Sequence, residues 1–398
     1  MSNNRVVAEI EVQAAPVEVF RMFTNSTALR EWLSDAALVM ARPGGRIFLG
    51  WNDGYQTVGQ FTTMDPTQGI AFTWQGTGDP GATKVKVSLL PTDSGTAVKV
   101  RHSGFGDDKK SKAAARDMKA AWRGSLENLA SVLESGEDLR FTRRPMLGVF
   151  VDGEARDDDG APLGVKLGGT VDGMGAAAAG LMGGDIISSL GGKQVRTFTD
   201  LGTAASAYRS GDVVEVGYVR DGTAESVQMT LSGRDIGEVE MTAAGLAVKV
   251  GAMCQRFSDD LAATLEGVTD EEANRKPAEG EWSVKEILAH LIEGEGDLHS
   301  QIVETFEGVE RYFDAGLGNS HWRTKVIADS YPDIWSMVDS YRNLMAQTVG
   351  LISSIPPELE KRRASFWRVS FPYNEGDSHF DEHLDQIKAA VATARGQS

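Results

Sequence analysis

Residues 282–291 read WSVKEILAHL, and residues 379–387 read HFDEHLDQI. In the first stretch Ser283 stands three residues before Glu286, the capping-box spacing that opens a helix. Ile287, Leu288, Leu291 and Leu298 continue it with an apolar stripe. In the second stretch His379 and His383 are four residues apart, so both project from one helical side and can chelate one ion. Ser378 and Asp381 take capping positions there, and a helix N-terminus disfavours imidazolium, keeping the rings neutral for ligation. A pair of this kind on a capped helix also serves as solvated or structural polarity. Phe380 occupies the place where H-E-x-x-H needs its general base, so peptide hydrolysis by that route is not expected.

Two further helices belong with these. Leu246, Val250, Met253, Phe257, Leu261 and Leu265 recur at three- and four-residue spacing, and another helix is expected from about Asp333 to Ile352, ahead of Pro356-Pro357. Four amphipathic helices over about 240–398 predict a four-helix bundle. The pattern resembles the DinB-like family, in which three histidines on the inner helices commonly bind a divalent metal. The resemblance implies a ligand set of His290, His379 and His383, with zinc or nickel as the ion; Asp297, seven residues after His290 and roughly in phase with it, is a candidate supporting acceptor. Some relatives use the metal to activate a low-molecular-weight thiol, whose pKa coordination would lower. That makes a metal-dependent thiol transferase the alternative function, although no general acid or base is assignable. His299 and His321 are expected at the surface, His321 in a loop, and Cys254 in the core.

The middle of the chain carries Gly180-Leu181-Met182-Gly183-Gly184-Asp185-Ile186-Ile187, then Gly191-Gly192-Lys193-Gln194-Val195, a helix from Phe198 to Tyr208 and a hairpin with Asp221-Gly222 at its tip. This order resembles a PDZ domain over about 140–234. It implies a carboxylate-binding loop at Met146, Leu147, Gly148 and Val149, where successive N–H groups converge on a peptide C-terminus. The peptide would add a strand facing the helix around Leu201, Ala205 and Tyr208. Intramolecular packing is the other role such a module can serve, and the Asp157–Asp159 run reads as a solvated loop.

Residues 1–138 begin with the alternation Val6, Ala8, Ile10, Val12, followed by a helix opened by Pro16 with Val17, Phe20 and Phe23 on its apolar face. Strands are expected at 46–51, 57–61, 70–74, 85–89 and 96–102. A long helix with Met118, Trp122, Leu126, Leu129 and Leu133 closes the segment, and Gly136 is its C-cap. This α+β order resembles the START-like (SRPBCC, helix-grip) superfamily. The segments APVEVF, LREWLSD and AWRGSLENLASVLESG resemble its branch related to activators of the heat-shock protein 90 ATPase. The resemblance implies a pocket for a small apolar ligand lined by Trp51, Phe61, Phe72, Trp74 and His102, and by analogy contact with a chaperone. The alternative is that these are core residues lining a small pocket or none, with His102 a structural histidine.

Composition sets the outer limits. The 398 residues are 41% hydrophobic and 24% charged, an ordinary globular balance for two or three domains. A formal charge of -17 argues against nucleic-acid and anionic-membrane partners. The single cysteine fits a reducing compartment, and Met1–Arg5 leads into a strand pattern without a signal-peptide profile, so a cytoplasmic location is expected. P-loop, G-x-S-x-G and CxxC motifs do not occur. The expectation is a multidomain binding protein built of α+β, mainly-β PDZ and all-α modules.

Overall fold

A computed structural model describes residues 5–157, 159–234, 236–310, 320–374 and 378–396, with the side chains of Ser378 and His379 outside that description. The expectations that rest on Met1–Asn4, on Asp158 and on the Ser378 and His379 side chains therefore lie outside the described residues. The chain divides into two compact units, Met1–Gly136 with Gly237–Ser398, and Glu137–Ile236.

The first unit begins with β1 (Arg5–Val12), α1 (Pro16–Thr24) and α2 (Ser26–Trp32). β2 (Ala36–Val39), β3 (Arg46–Gly50), β4 (Gln56–Asp65), β5 (Gly69–Gly76), β6 (Thr83–Pro91) and β7 (Thr96–Ser103) follow, and then α3 (Lys109–Glu134). The strands form one antiparallel sheet in the order β1-β7-β6-β5-β4-β3-β2. Trp122, Leu126, Leu129 and Val132 of α3 are buried in the same core as Val85, Val87, Val98 and Val100 of the sheet. Burying one such side chain contributes about 1.5–3 kcal/mol. Gly136 follows α3 with φ +88°, the left-handed stop its position predicted. In α1 the buried residues are Val19, Met22, Phe23 and Thr24, while Val17 is exposed. Of the expected face, Phe23 is buried and Phe20 packs half-buried against the same core, so only its first-turn member Val17 falls outside it.

The second unit contains α4 (Leu139–Thr142), β8 (Val149–Arg156), β9 (Pro162–Thr170), α5 (Gly175–Ala178), β10 (Ile186–Leu190), β11 (Lys193–Gln194), α6 (Phe198–Ala205), β12 (Val213–Arg220) and β13 (Thr223–Thr230). The sheet runs β13-β12-β10-β9-β8, with β11 paired to β10. Asp221 and Gly222 both have positive φ, as the two-residue hairpin requires. Asp185 of the Gly-Asp step is structural. It accepts from Met182 N–H and from Arg220 Nε and Nη2, tying the turn to β12.

The first unit resumes with α7 (Ala243–Thr264), α8 (Asp270–Asn274), α9 (Val284–Glu307), α10 (His321–Asp329), α11 (Ile334–Ser353), α12 (Pro357–Glu360), α13 (Arg363–Ser370) and α14 (Ser378–Ala394). The four long helices α7, α9, α11 and α14 share a core containing Leu246, Val250, Phe257, Leu261, Leu288, Met337, Tyr341 and Ile387. The capping box at Ser283 and Glu286 is formed in both directions. His321 opens α10 instead of lying in a loop, a helix the sequence hid because only Thr324 and Ala328 of it are buried. No described helix is long and apolar enough to cross a membrane.

Candidate functional site

In the bundle, the Ser283 cap and the Lys276–Glu286 ion pair at 2.8 Å fix where α9 begins. His290 stands nearly two turns later, half-buried, and its ring meets His383 of α14 with centroids 5.0 Å apart and planes at 56°. Two imidazoles bound to one tetrahedral ion at about 2.0–2.1 Å per nitrogen have ring centroids about 5 Å apart. His383 is buried, and its Nδ1 lies 2.9 Å from Gln386 Oε1. Facing that oxygen, the neutral ring carries its proton on Nδ1 and its lone pair on Nε2, the atom a metal takes. His379 belongs to the first turn of the same helix, one turn ahead of His383. Among the described side chains no group of three possible ligands is assembled, so the two described rings are one His379 short of the implied set.

Trp282 packs tilted against His290 with centroids 5.0 Å apart and edge-on to His321 at 6.1 Å, and donates its indole N–H to His321 Nδ1 at 3.3 Å. Glu293, three residues after His290, was not singled out by sequence. It is buried against Arg323 of α10; burial pushes its carboxyl up and Arg323 opposes the shift. The available signal was its position on the His290 side of the helix. Asp297 adds to the upward push on Glu293, so the two carboxyls lie on the same side of α9 as His290. On the far side, His299 is half-buried rather than superficial: its Nε2 meets Thr348 Oγ1 at 2.7 Å, and Thr348 donates onward to buried Glu295.

In the PDZ-like unit, Met146 exchanges both backbone hydrogen bonds with Ser232 at 2.9 Å. The next two N–H groups, of Leu147 and Gly148, donate to no described residue, while their carbonyls accept from Ala176 and Val171. Gly148 has φ +78°, and a Cβ there would stand 2.3 Å from Met174 Cβ, so the turn requires glycine. Val149 begins β8, an edge strand, and Val149, Leu147, Leu201 and Ala205 belong to one apolar cluster. An open edge, two undonated N–H groups and an apolar floor are the parts needed to add a peptide strand and hold its carboxylate.

The N-terminal aromatic set forms one continuous ring cluster. Phe61–Phe72, Phe72–Trp74, Trp74–His102 and Trp51–Trp74 centroids lie 5.8, 6.3, 5.6 and 6.2 Å apart. Phe61, Phe72, Trp74 and His102 are buried and Trp51 is half-buried. Trp122 Nε1 donates to His102 Nδ1 at 3.2 Å, so His102 Nε2 carries the proton and donates to Thr83 Oγ1 at 2.7 Å. Both nitrogens are thus satisfied in the neutral ring, and burial pushes its pKa down to about 4. Trp51 and Trp74 donate their indole N–H groups to Leu33 O and the Tyr55 hydroxyl.

Comparison with known proteins distinguishes three segments along the chain, the last of which ends before α14. No curated protein matches it. Among solved structures, protein MLL2253 from Mesorhizobium loti is 24% identical, covers 33% of this chain and 96% of its own, and has a TM-score of 0.30. Protein CV1439 from Chromobacterium violaceum is also 24% identical, over 33% of this chain and 99% of its own, with a TM-score of 0.30. The Aha1 dimer from Colwellia psychrerythraea is 20% identical over 33% and 98%, again at 0.30. Family models match three successive segments: activator of Hsp90 ATPase homolog 1-like protein at residues 13–134, the PDZ domain at 145–231 and the DinB superfamily at 254–375. The chain is thus an Hsp90-activator-like domain, a PDZ domain and a DinB-superfamily bundle in series.

Proposed function

We propose that the chain is a multidomain binding protein whose bundle holds a divalent metal ion, zinc or nickel, through His290, His383 and His379, and whose PDZ groove takes a peptide C-terminus. The observation that carries the metal reading is the 5.0 Å separation of the His290 and His383 rings, with Gln386 orienting the second. Bound there, the ion would act as a Lewis acid and would lower the pKa of a coordinated thiol. His290 and His383 would supply neutral nitrogens, and Trp282 would shield one side of the His290 ring from water. The peptide reading is supported by the edge strand β8 and the N–H groups of Leu147 and Gly148. In the N-terminal domain a small apolar ligand would enter beside Trp51, the half-buried member of the aromatic set.

The decisive experiment is elemental analysis of protein purified without chelator or metal-affinity resin, then titrated with zinc and with nickel. Stoichiometric metal in the wild type, lost in His383→Ala and His290→Ala, is the expected result. A wild type that takes up neither ion overturns the metal reading. Turnover of a low-molecular-weight thiol with an electrophile by the loaded protein would move it from binding to transferase chemistry.

A further inference from the structure

The first helices of the N-terminal domain and two elements of the bundle meet in a buried polar network. Glu310, just beyond the end of α9, has a side chain 4% exposed and receives three guanidinium contacts. Arg30 of α2 reaches it at 3.1 Å, and Arg368 of α13 binds both its oxygens at 2.6 and 2.7 Å. The Glu310 N–H donates to Thr27 Oγ1 of α2 at 3.1 Å. Asn25 closes two helices at once: its Oδ1 accepts from Ala28 N–H as the N-cap of α2, and its Nδ2 donates to Gly308 O at the end of α9. One turn on, Glu31 is 2% exposed and accepts from Ser365 Oγ of α13 at 2.5 Å.

Apolar packing crosses the same boundary. Ala364 of α13 is buried in the N-terminal domain's core cluster, beside residues of α2 and α3, and not in the bundle's. The chain ends on either side of the PDZ segment also meet in this unit. A Cβ at Gly136 would stand 2.6 Å from Arg363 O and 3.0 Å from Met241 Cε. Removing a partner from a carboxylate as buried as Glu310 is strongly destabilising, so a loose or occasional contact does not account for it.

We infer that the N-terminal domain and the bundle are one obligate body, in which the α1–α2 face of the first domain is a docking surface for this chain's own α13 and the end of α9. The PDZ segment is then an insertion into that body. The surface is specific by chemistry: it offers Arg30, Thr27 and Asn25 to one carboxylate and one helix terminus, and Glu31 to one hydroxyl. Any external partner of the first domain must then bind elsewhere than on the surface formed by Asn25, Thr27, Arg30 and Glu31.

The test uses the full chain with protease sites inserted after Arg144 and after Gly233, cleaved under native conditions. Size-exclusion chromatography and native mass spectrometry then read whether the N-terminal and bundle fragments persist as a two-fragment species without the PDZ fragment. Persistence in the wild type is expected, with at least tenfold weaker association in Arg30→Glu/Arg368→Glu. Glu310→Gln, which keeps the shape and removes the charge, should weaken it less. Wild-type fragments that separate overturn the inference, and so does association indifferent to both variants. Circular dichroism of each uncut chain distinguishes loss of docking from loss of folding.

Discussion

His290 on α9 and His383 on α14 face each other with ring centroids 5.0 Å apart, and Gln386 Oε1 holds the Nδ1 side of His383 at 2.9 Å. Such outer partners set tautomer and ring direction, and removing one typically lowers metal affinity about 10–100-fold. Gln386→Ala should therefore weaken zinc binding by about that factor, whereas His383→Ala should abolish it. Competition titration against a chromophoric chelator measures both. Equal affinity in Gln386→Ala and wild type would show that the ring is oriented by something else.

The PDZ loop gives a sharper steric prediction. Gly148 combines φ +78° with a Cβ direction blocked by Met174 at 2.3 Å. Gly148→Ala should destabilise the PDZ unit by about 1–3 kcal/mol and reduce capture of peptides with free C-termini. Val151→Pro should leave stability closer to wild type while blocking strand addition, because proline at the edge removes a donor and fills the pairing space. Hydrogen exchange over residues 145–231 and fluorescence polarisation with a C-terminal peptide library separate the two effects.

Features with local determinants were legible in the sequence. The Ser283–Glu286 box, Gly136 after α3 and the Asp221-Gly222 tip each act within a few residues, and each is formed as expected. Features whose determinants are distant or weakly patterned were not legible. β2 (Ala36–Val39) is a four-residue edge strand with too few residues to show alternation, and α10 buries too little to show a helical period. Asn25–Gly308 and Glu31–Ser365 join residues hundreds of positions apart, and no periodicity marks them. The His290–His383 contact was accessible only through family resemblance, because spacing within either helix says nothing about the other.

Cys254 tests whether the bundle core is closed. It is 8% exposed, and burial, followed by the nearby Glu295 carboxyl, pushes its thiol up to about 12. At neutral pH almost no thiolate forms, and the thiolate is the nucleophile. An aromatic disulfide reagent should therefore leave the native protein unlabelled for hours and react fully after denaturation. Rapid native labelling would show that α7 and α11 open around this site.

Two buried titratable groups of the first unit act in opposite directions on its pH stability. His102 is held neutral by burial, with its pKa pushed down to about 4, so its contribution is complete above the ordinary value of about 6.5 and is lost as pH falls toward 4. A shift of that size corresponds to about 3 kcal/mol. His102→Gln should lower stability at neutral pH and flatten the acid limb. Glu31 has the reverse sign. Burial raises its pKa, opposed by Arg21, Ser365 and Arg368 and assisted by Glu310. Its contribution is complete below the ordinary carboxyl value and is lost as pH rises through the raised one. Glu31→Gln, a neutral isostere that still accepts from Ser365, should therefore raise the urea midpoint at alkaline pH and leave it nearly unchanged in acid. Wild type should be most stable between the two limbs, and the double variant should show the flattest profile. An alkaline limb unchanged by Glu31→Gln would mean that Arg21, 3.8 Å from the carboxylate, already compensates its charge in full.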